Sequence, residues 1–241
     1  MTSYYISRGV HFACDRDAVV FLNINSDEYS MFVGEKARSF STMVSVISGS
    51  HDALRVTTGD TSPEGNELQR EIVADLLANK LITDKVCDAA TYKPNIPLPH
   101  ATLVDYQDTH PDEISWRDVR RFFAACIVAT WRLQCTSMHA IICALQRRKH
   151  RAHAGRSRPL DDFRQVVATY RTLRPFFPRD FVCLFDSLSL MEFLARYDLF
   201  PDLVFAVKLD PWGAHCWVQH GSVSLNEDHD EACSYLPIVA V

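Results

Sequence analysis

The chain has 241 residues, of which 47% are hydrophobic and 23% charged, and a net charge of −5. That balance fits one large or two small globular domains and excludes fibrous or collagen-like chains. Eight cysteines occur without any Cys-x-x-Cys, which gives no signal for a zinc ribbon or a dithiol redox site. In a chain this long the expectation is reduced thiols and a cytoplasmic location.

The first ten residues, MTSYYISRGV, have no basic start followed by an apolar core, so no signal peptide is expected. Residues 10–33 read as β structure: the aromatic and β-branched runs HFACD, AVVFLNI and EYSMFV are separated by the turn residues Asp15-Arg16 and Asn25-Ser26-Asp27. Helices are expected over 35–48 and 66–80. In the second, Leu68, Ile72, Leu76 and Leu77 recur at helical spacing behind Asn66 as N-cap. Four prolines and no periodicity over 88–113 indicate a linker. The expected domains are therefore 1–87 and 114–241.

In the second domain, residues 116–148 read as one or two apolar helices. Their longest apolar run, residues 122–131, is shorter than the ~20 residues of a membrane span. A further helix is expected over 160–174, capped by Asp161 or Asp162, and PFFPRDF ends it. The helix FVCLFDSLSLMEFLARYDLF, the strand LVFAVKL and the hairpin HCWVQH-GS-VSLNE follow. Charge is uneven: residues 101–182 hold 14 Lys/Arg against 8 Asp/Glu, chiefly through QRRKHRAHAGRSRP. With no aromatic partners or recognised module, that basic run reads as a solvated loop and not as a nucleic-acid patch.

Cys183 lies just after a proline-containing break, at the first turn of its helix. Free backbone N–H groups and the positive end of the macrodipole favour a thiolate there. Cys126, Cys135 and Cys143 read as interior helix residues. A thiolate nucleophile needs an imidazole, and His215 is placed to supply it. On its strand His215, Trp217 and Gln219 share one face, and Cys216, Val218 and His220 the other. Counting back from a Gly221-Ser222 turn puts His215 opposite Asp228; one residue of loop difference puts it opposite Glu227. Either acid can orient the ring. A metal site built from His215, His220 and His229 fits no strong spacing, and no metal is expected.

The segments VCLFDSLSLMEFLARY, LVFAVKLDPWGAHCWVQHG and SLNE resemble the leader peptidase, or B protein, of lasso peptide biosynthesis. The resemblance implies an α+β chain with a transglutaminase-like, papain-related peptidase domain. Carried over by position, Cys183 is the nucleophile, His215 the base and Glu227 the third member. Gln219 stands where Glu is common in the family, and Glu227 where Asp is frequent.

The N-terminal part is similar to the winged-helix-like recognition element of such proteins, with three strands and three helices. The implied leader-binding residues are Glu28, Tyr29, Ser30, Met31, Phe32 and Val33 on a strand, and Leu68, Ile72, Asp75 and Leu76 on a helix. The implied partners are a lasso precursor peptide and an asparagine-synthetase-like cyclase, with no cofactor, no nucleic acid and no integral membrane segment. Two other classes compete. One is a transglutaminase-like acyltransferase using the same three residues. The other is a non-catalytic winged-helix binding protein, which the net charge of −4 over residues 1–100 disfavours for DNA.

Overall fold

The computed structural model describes residues 3–47, 53–57, 63–85, 88–90, 96–103, 111, 113–152 and 158–241. The chain divides into two compact units, Met1–Asn95 and Ile96–Val241. The expected linker therefore does not stay outside both. Within it, β8 (Ala101–Thr102) joins the sheet of the second unit, and Pro97 O accepts a hydrogen bond from Gln219.

In the first unit, β2 (Val10–Asp15), β3 (Ala18–Asn23) and β4 (Glu28–Val33) form an antiparallel meander. All six residues of β3 are buried, as befits the central strand. β4 is the outer strand, paired with β3 on one side. A second sheet runs in the order β5 (Val44–Ile47), β6 (Ala53–Thr57), β1 (Ser3–Ile6), β7 (Ile82–Thr83). The helices are α1 (Glu35–Met43) and α2 (Pro63–Ala78).

Phe21 and Phe40 pack edge to face at 5.1 Å in the core, which also holds Ile6, Val19, Ile72 and Leu76. The described residues of this unit thus form seven strands and two α-helices, not the expected three and three. One reason is local. The helix expected over 35–48 stops at Met43, because the β-branched run Val44, Val46 and Ile47 favours a strand. Asn66 is no N-cap, since α2 begins three residues earlier at Pro63.

The second unit packs helices against one mixed sheet ordered β12 (Leu236–Ala240), β9 (Asp202–Leu209), β10 (Trp212–His220), β11 (Val223–Ser224), β8. α3 (Trp116–Cys135) opens on a capping box: Ser115 and Asp118 bond reciprocally, satisfying two otherwise free N–H groups. The stretch read as one or two helices is two, because α4 (Met138–Ala152) starts after a break at Thr136-Ser137. α5 (Leu160–Leu173) has Pro159 at its N-cap. Asp161 and Asp162, the expected caps, lie in its first turn instead.

α6 (Cys183–Leu194) is central and buried on nearly every side from Phe185 to Leu194, the condition for an all-round apolar helix. Its one deeply buried carboxylate, Glu192, sits 2.5 Å from Arg132 and 2.9 Å from Arg148. The basic run therefore begins inside α4, and its residues 153–157 lie outside the described ones. Cys126 is buried as expected, whereas Cys135 at the end of α3 is exposed and Cys143 partly so. No helix among the described residues is long and apolar enough to cross a membrane.

Candidate active site

α6 begins at Cys183 because the extended backbone of Val182 (φ −131°, ψ 126°) cannot continue a helix backwards. Val182 offers no side-chain cap, and the first helical bond is Asp186 N to Val182 O at 2.9 Å. The N–H groups of Cys183, Leu184 and Phe185 therefore have no intrahelical acceptor and point out of the helix end.

β10 brings the imidazole. It pairs along its length with β9, placing His215 opposite Ala206 and Cys216 opposite Phe205. On its other side β10 meets β11 only at Gln219 and His220, next to a tight turn with Gly221 at φ 59°. Beyond that point one backbone bond continues, Leu225 N to Val218 O at 2.8 Å, and side chains join in. Asn226 Oδ1 accepts from Val218 N at 2.7 Å, and its amide donates to Ser187 Oγ at 3.1 Å. Ser187 Oγ donates in turn to Cys216 O at 3.2 Å. This relay fastens α6 to β10 one turn below Cys183.

The strand faces follow the alternation. Trp217 is fully buried, and its Nε1 donates to Gln219 Oε1 at 2.9 Å. The Gln219 amide donates to Pro97 O and Gly221 O, both at 2.7 Å. Gln219 is thus a buried clasp on the turn, a task for which an amide suits better than a carboxylate because two of its contacts are acceptors. On the opposite face His220 stacks on Phe163 at 4.3 Å. His220 therefore lies on the face away from His215, and His229 Nε2 is 3.4 Å from Asp230.

The acid is Glu227. Its Oε2 lies 2.6 Å from His215 Nε2, and its Oε1 accepts from Asp228 N at 3.0 Å. Its backbone is pinned by Glu227 N to Ser224 Oγ at 3.1 Å and by Thr102 Oγ1 to Glu227 O at 2.7 Å. Asp228 is occupied elsewhere. It caps α7 (His229–Cys233), accepting from Asp230 N and Glu231 N. Since Nε2 faces Glu227, Nδ1 is the ring nitrogen left for sulfur.

Cys183 faces the side chains of Cys216 and His215 and the Cys216 backbone N–H, each of which favours its thiolate. These donors, the Cys216 thiol first, outweigh the cost of partial burial and pull its pKa down to about 4. For His215, burial alone would lower the pKa. The hydrogen bonds and charges of Cys183 and Glu227 overcome it and raise the ring to about 9. The pair rests as thiolate and imidazolium near neutrality. Cys216, hydrogen-bonded to that thiolate and buried, is pushed well above the thiol range, and burial pushes Cys126 up to about 12.

The structure therefore brings Cys183, His215 and Glu227 together, all in the second unit. The other expected site residues belong to the first. On β4, Met31 and Val33 are exposed, whereas Phe32 turns inward against Phe21 and Phe40. On α2, the side chains of Ile72 and Leu76 are fully buried, and Leu68 packs on the same core. Ile72 and Leu76 hold the unit together and offer a ligand no surface, a correction to their expected role, whereas Leu68 is only partly buried. Asp75 accepts from Lys36 Nζ at 3.1 Å.

Sequence reading missed Cys216, Ser187 and Asn226. A second cysteine next to the histidine carries no signal of its own, although Asn226 directly precedes the acid in SLNE. No curated protein and no solved structure matches the chain. One family model does, over residues 123–240, and its span holds α6, β9, β10 and all three residues of the site. The C-terminal part of this protein carries a transglutaminase-like superfamily domain, in a superfamily whose members are usually cysteine-dependent enzymes.

Proposed function

We propose that this protein is a cysteine peptidase that removes the leader from a ribosomally made lasso precursor peptide. Cleavage frees the core N-terminus for macrolactam formation by an asparagine-synthetase-like cyclase. The observation that carries the catalytic part is the His215–Glu227 pair, 2.6 Å apart, beside Cys183 at the start of α6.

In this reading the Cys183 thiolate attacks the scissile carbonyl. The N–H groups of the first turn of α6 receive the oxyanion. The His215 imidazolium, held by Glu227, protonates the leaving amine, and the neutral ring then activates the water that hydrolyses the acyl-enzyme. Leader binding is assigned to β4, an outer strand to which an extended peptide can add by main-chain hydrogen bonds. The specific precursor rests on the motif resemblance.

The same three residues serve an acyltransferase if an amine replaces water, so the test must separate the two acceptors. A leader-bearing precursor peptide is incubated with the full chain in ¹⁸O-water containing a primary amine. A peptidase leaves ¹⁸O in the new leader carboxylate; an acyltransferase leaves an amide of the added amine. Cys183→Ala gives neither product. Cleavage by the folded Cys183→Ala protein at the wild-type rate would sink the mechanism.

A further inference from the structure

Ahead of Cys183 the chain passes through residues 174–182, which carry little regular structure and include two prolines. Such a segment would leave the start of α6 loosely placed unless something gathered it. Arg174 does so from beneath. Its side chain is only 4% exposed. Its guanidinium donates to Arg179 O through both terminal nitrogens at 3.1 Å, to Asp180 O at 3.0 Å and to Phe177 O at 3.4 Å. Its Nε pairs with Asp186 Oδ1. The rings of Phe181 and Phe185 lie 4.3 and 5.1 Å from its Cζ, one on each side of Cys183 in sequence. A planar fork with five donors can serve all of these at once; an ammonium cannot.

Asp186 gives the arrangement chemical meaning. It stands three residues after Cys183, on the same side of the helix, and the two groups feel one another's charge. Arg174 thereby ties the gathered segment to the turn that carries Cys183. Burial already raises the pKa of Asp186, and Arg174 works against that rise. The other titratable groups around Cys183 are His215 and Cys216 on β10, with Glu227 behind the ring, and Tyr235 near the start of β12. None of these neutralises Asp186.

We propose that Arg174 is a positioning residue for the Cys183 thiolate: it gathers the segment that delivers the cysteine and ties it to the first turn of α6 through Asp186. The inference rests on Cys183 being the nucleophile, but it is testable without any substrate. Iodoacetamide labelling of Cys183, read by peptide mass spectrometry across pH, gives the midpoint at which its thiolate forms.

Arg174→Gln frees the segment ahead of Cys183 and should move that midpoint up by a unit or more, a tenfold loss of thiolate at acid pH. Arg174→Gln/Asp186→Asn should keep the raised midpoint, since the segment stays ungathered. Arg174→Lys, which keeps the charge but not the fork, should lie between wild type and Arg174→Gln. If Arg174→Gln does not fold, Arg174→Lys is read in its place.

A folded Arg174→Gln with the wild-type midpoint overturns the proposal. So does a double variant with the wild-type midpoint, and so does a folded Arg174→Lys with that midpoint where Arg174→Gln does not fold. A wild-type midpoint in the ordinary thiol range overturns this inference and the cysteine-enzyme reading together. A low wild-type midpoint that Arg174→Gln leaves in place overturns this inference only.

Discussion

Replacing His215 by alanine tests the thiolate–imidazolium pair through a sign reversal. With His215 present the Cys183 pKa stands at about 4. Without the ring it moves toward the ordinary range near ~8.5, and two effects then oppose each other. The thiolate fraction falls tenfold per unit below the midpoint, while each unit of basicity makes the thiolate about threefold more nucleophilic. A full return would make alkylation of Cys183 roughly 30-fold slower at pH 5 but about threefold faster at pH 7.

The Cys216 thiol remains as a donor, so the return is partial, and the loss at pH 5 shrinks while the gain at pH 7 grows. Rate at a single neutral pH would therefore mislead; the crossing of the two profiles is the signature. The assay is site-resolved iodoacetamide labelling from pH 4 to 10, with circular dichroism to confirm the fold. Turnover must vanish throughout, since the proton donor is gone. A variant profile that superimposes on the wild type would refute the pairing.

Glu227→Gln keeps the shape but removes the charge that helps hold the His215 proton. Imidazolium then persists only to a lower pH, and the alkaline limb of the rate profile shifts down from about 9. Asp228→Ala should leave both limbs in place and cost about 1 kcal/mol of stability in thermal melts, through loss of the α7 cap. If Asp228→Ala moves the alkaline limb and Glu227→Gln does not, the assignment of the acid is wrong. Met31→Pro, in a protein with a native circular dichroism spectrum, should weaken precursor binding in a calorimetric titration by removing a main-chain donor from β4. Undiminished affinity would move the leader to another surface.

How far the fold was readable depended on how local its causes are. The start of α6 followed from Pro178 and an apolar run, both close to Cys183. The alternation along β10 placed His215 apart from Cys216 without reference to anything else. The acid was not readable in the same way. Hairpin counting assumes a regular ladder, but past Ser224 it breaks: Leu225 N still bonds Val218 O, while the Val218 N–H goes to the side chain of Asn226. Choosing Glu227 over Asp228 from sequence needed the motif resemblance.

The first unit was harder. Its second sheet joins Ser3–Ile6 to strands fifty or more residues away, a pairing that no short-range pattern announces. Ile72 and Leu76 showed helical spacing, but spacing cannot say whether an apolar face meets the core or a ligand. Arg174 and Asp186, twelve residues apart, are joined through a loop whose course the residues alone do not reveal.

The sheet that carries the site also sets an order of assembly. The Glu227 carboxylate meets His215 across 12 residues of chain, and its own N–H is tied to Ser224 three residues back. The contact with Thr102 spans 125 residues, and closing so long a loop costs more entropy than the local contacts do. The three site residues can therefore assemble from the C-terminal part of the chain before the segment around residue 102 docks beside β11.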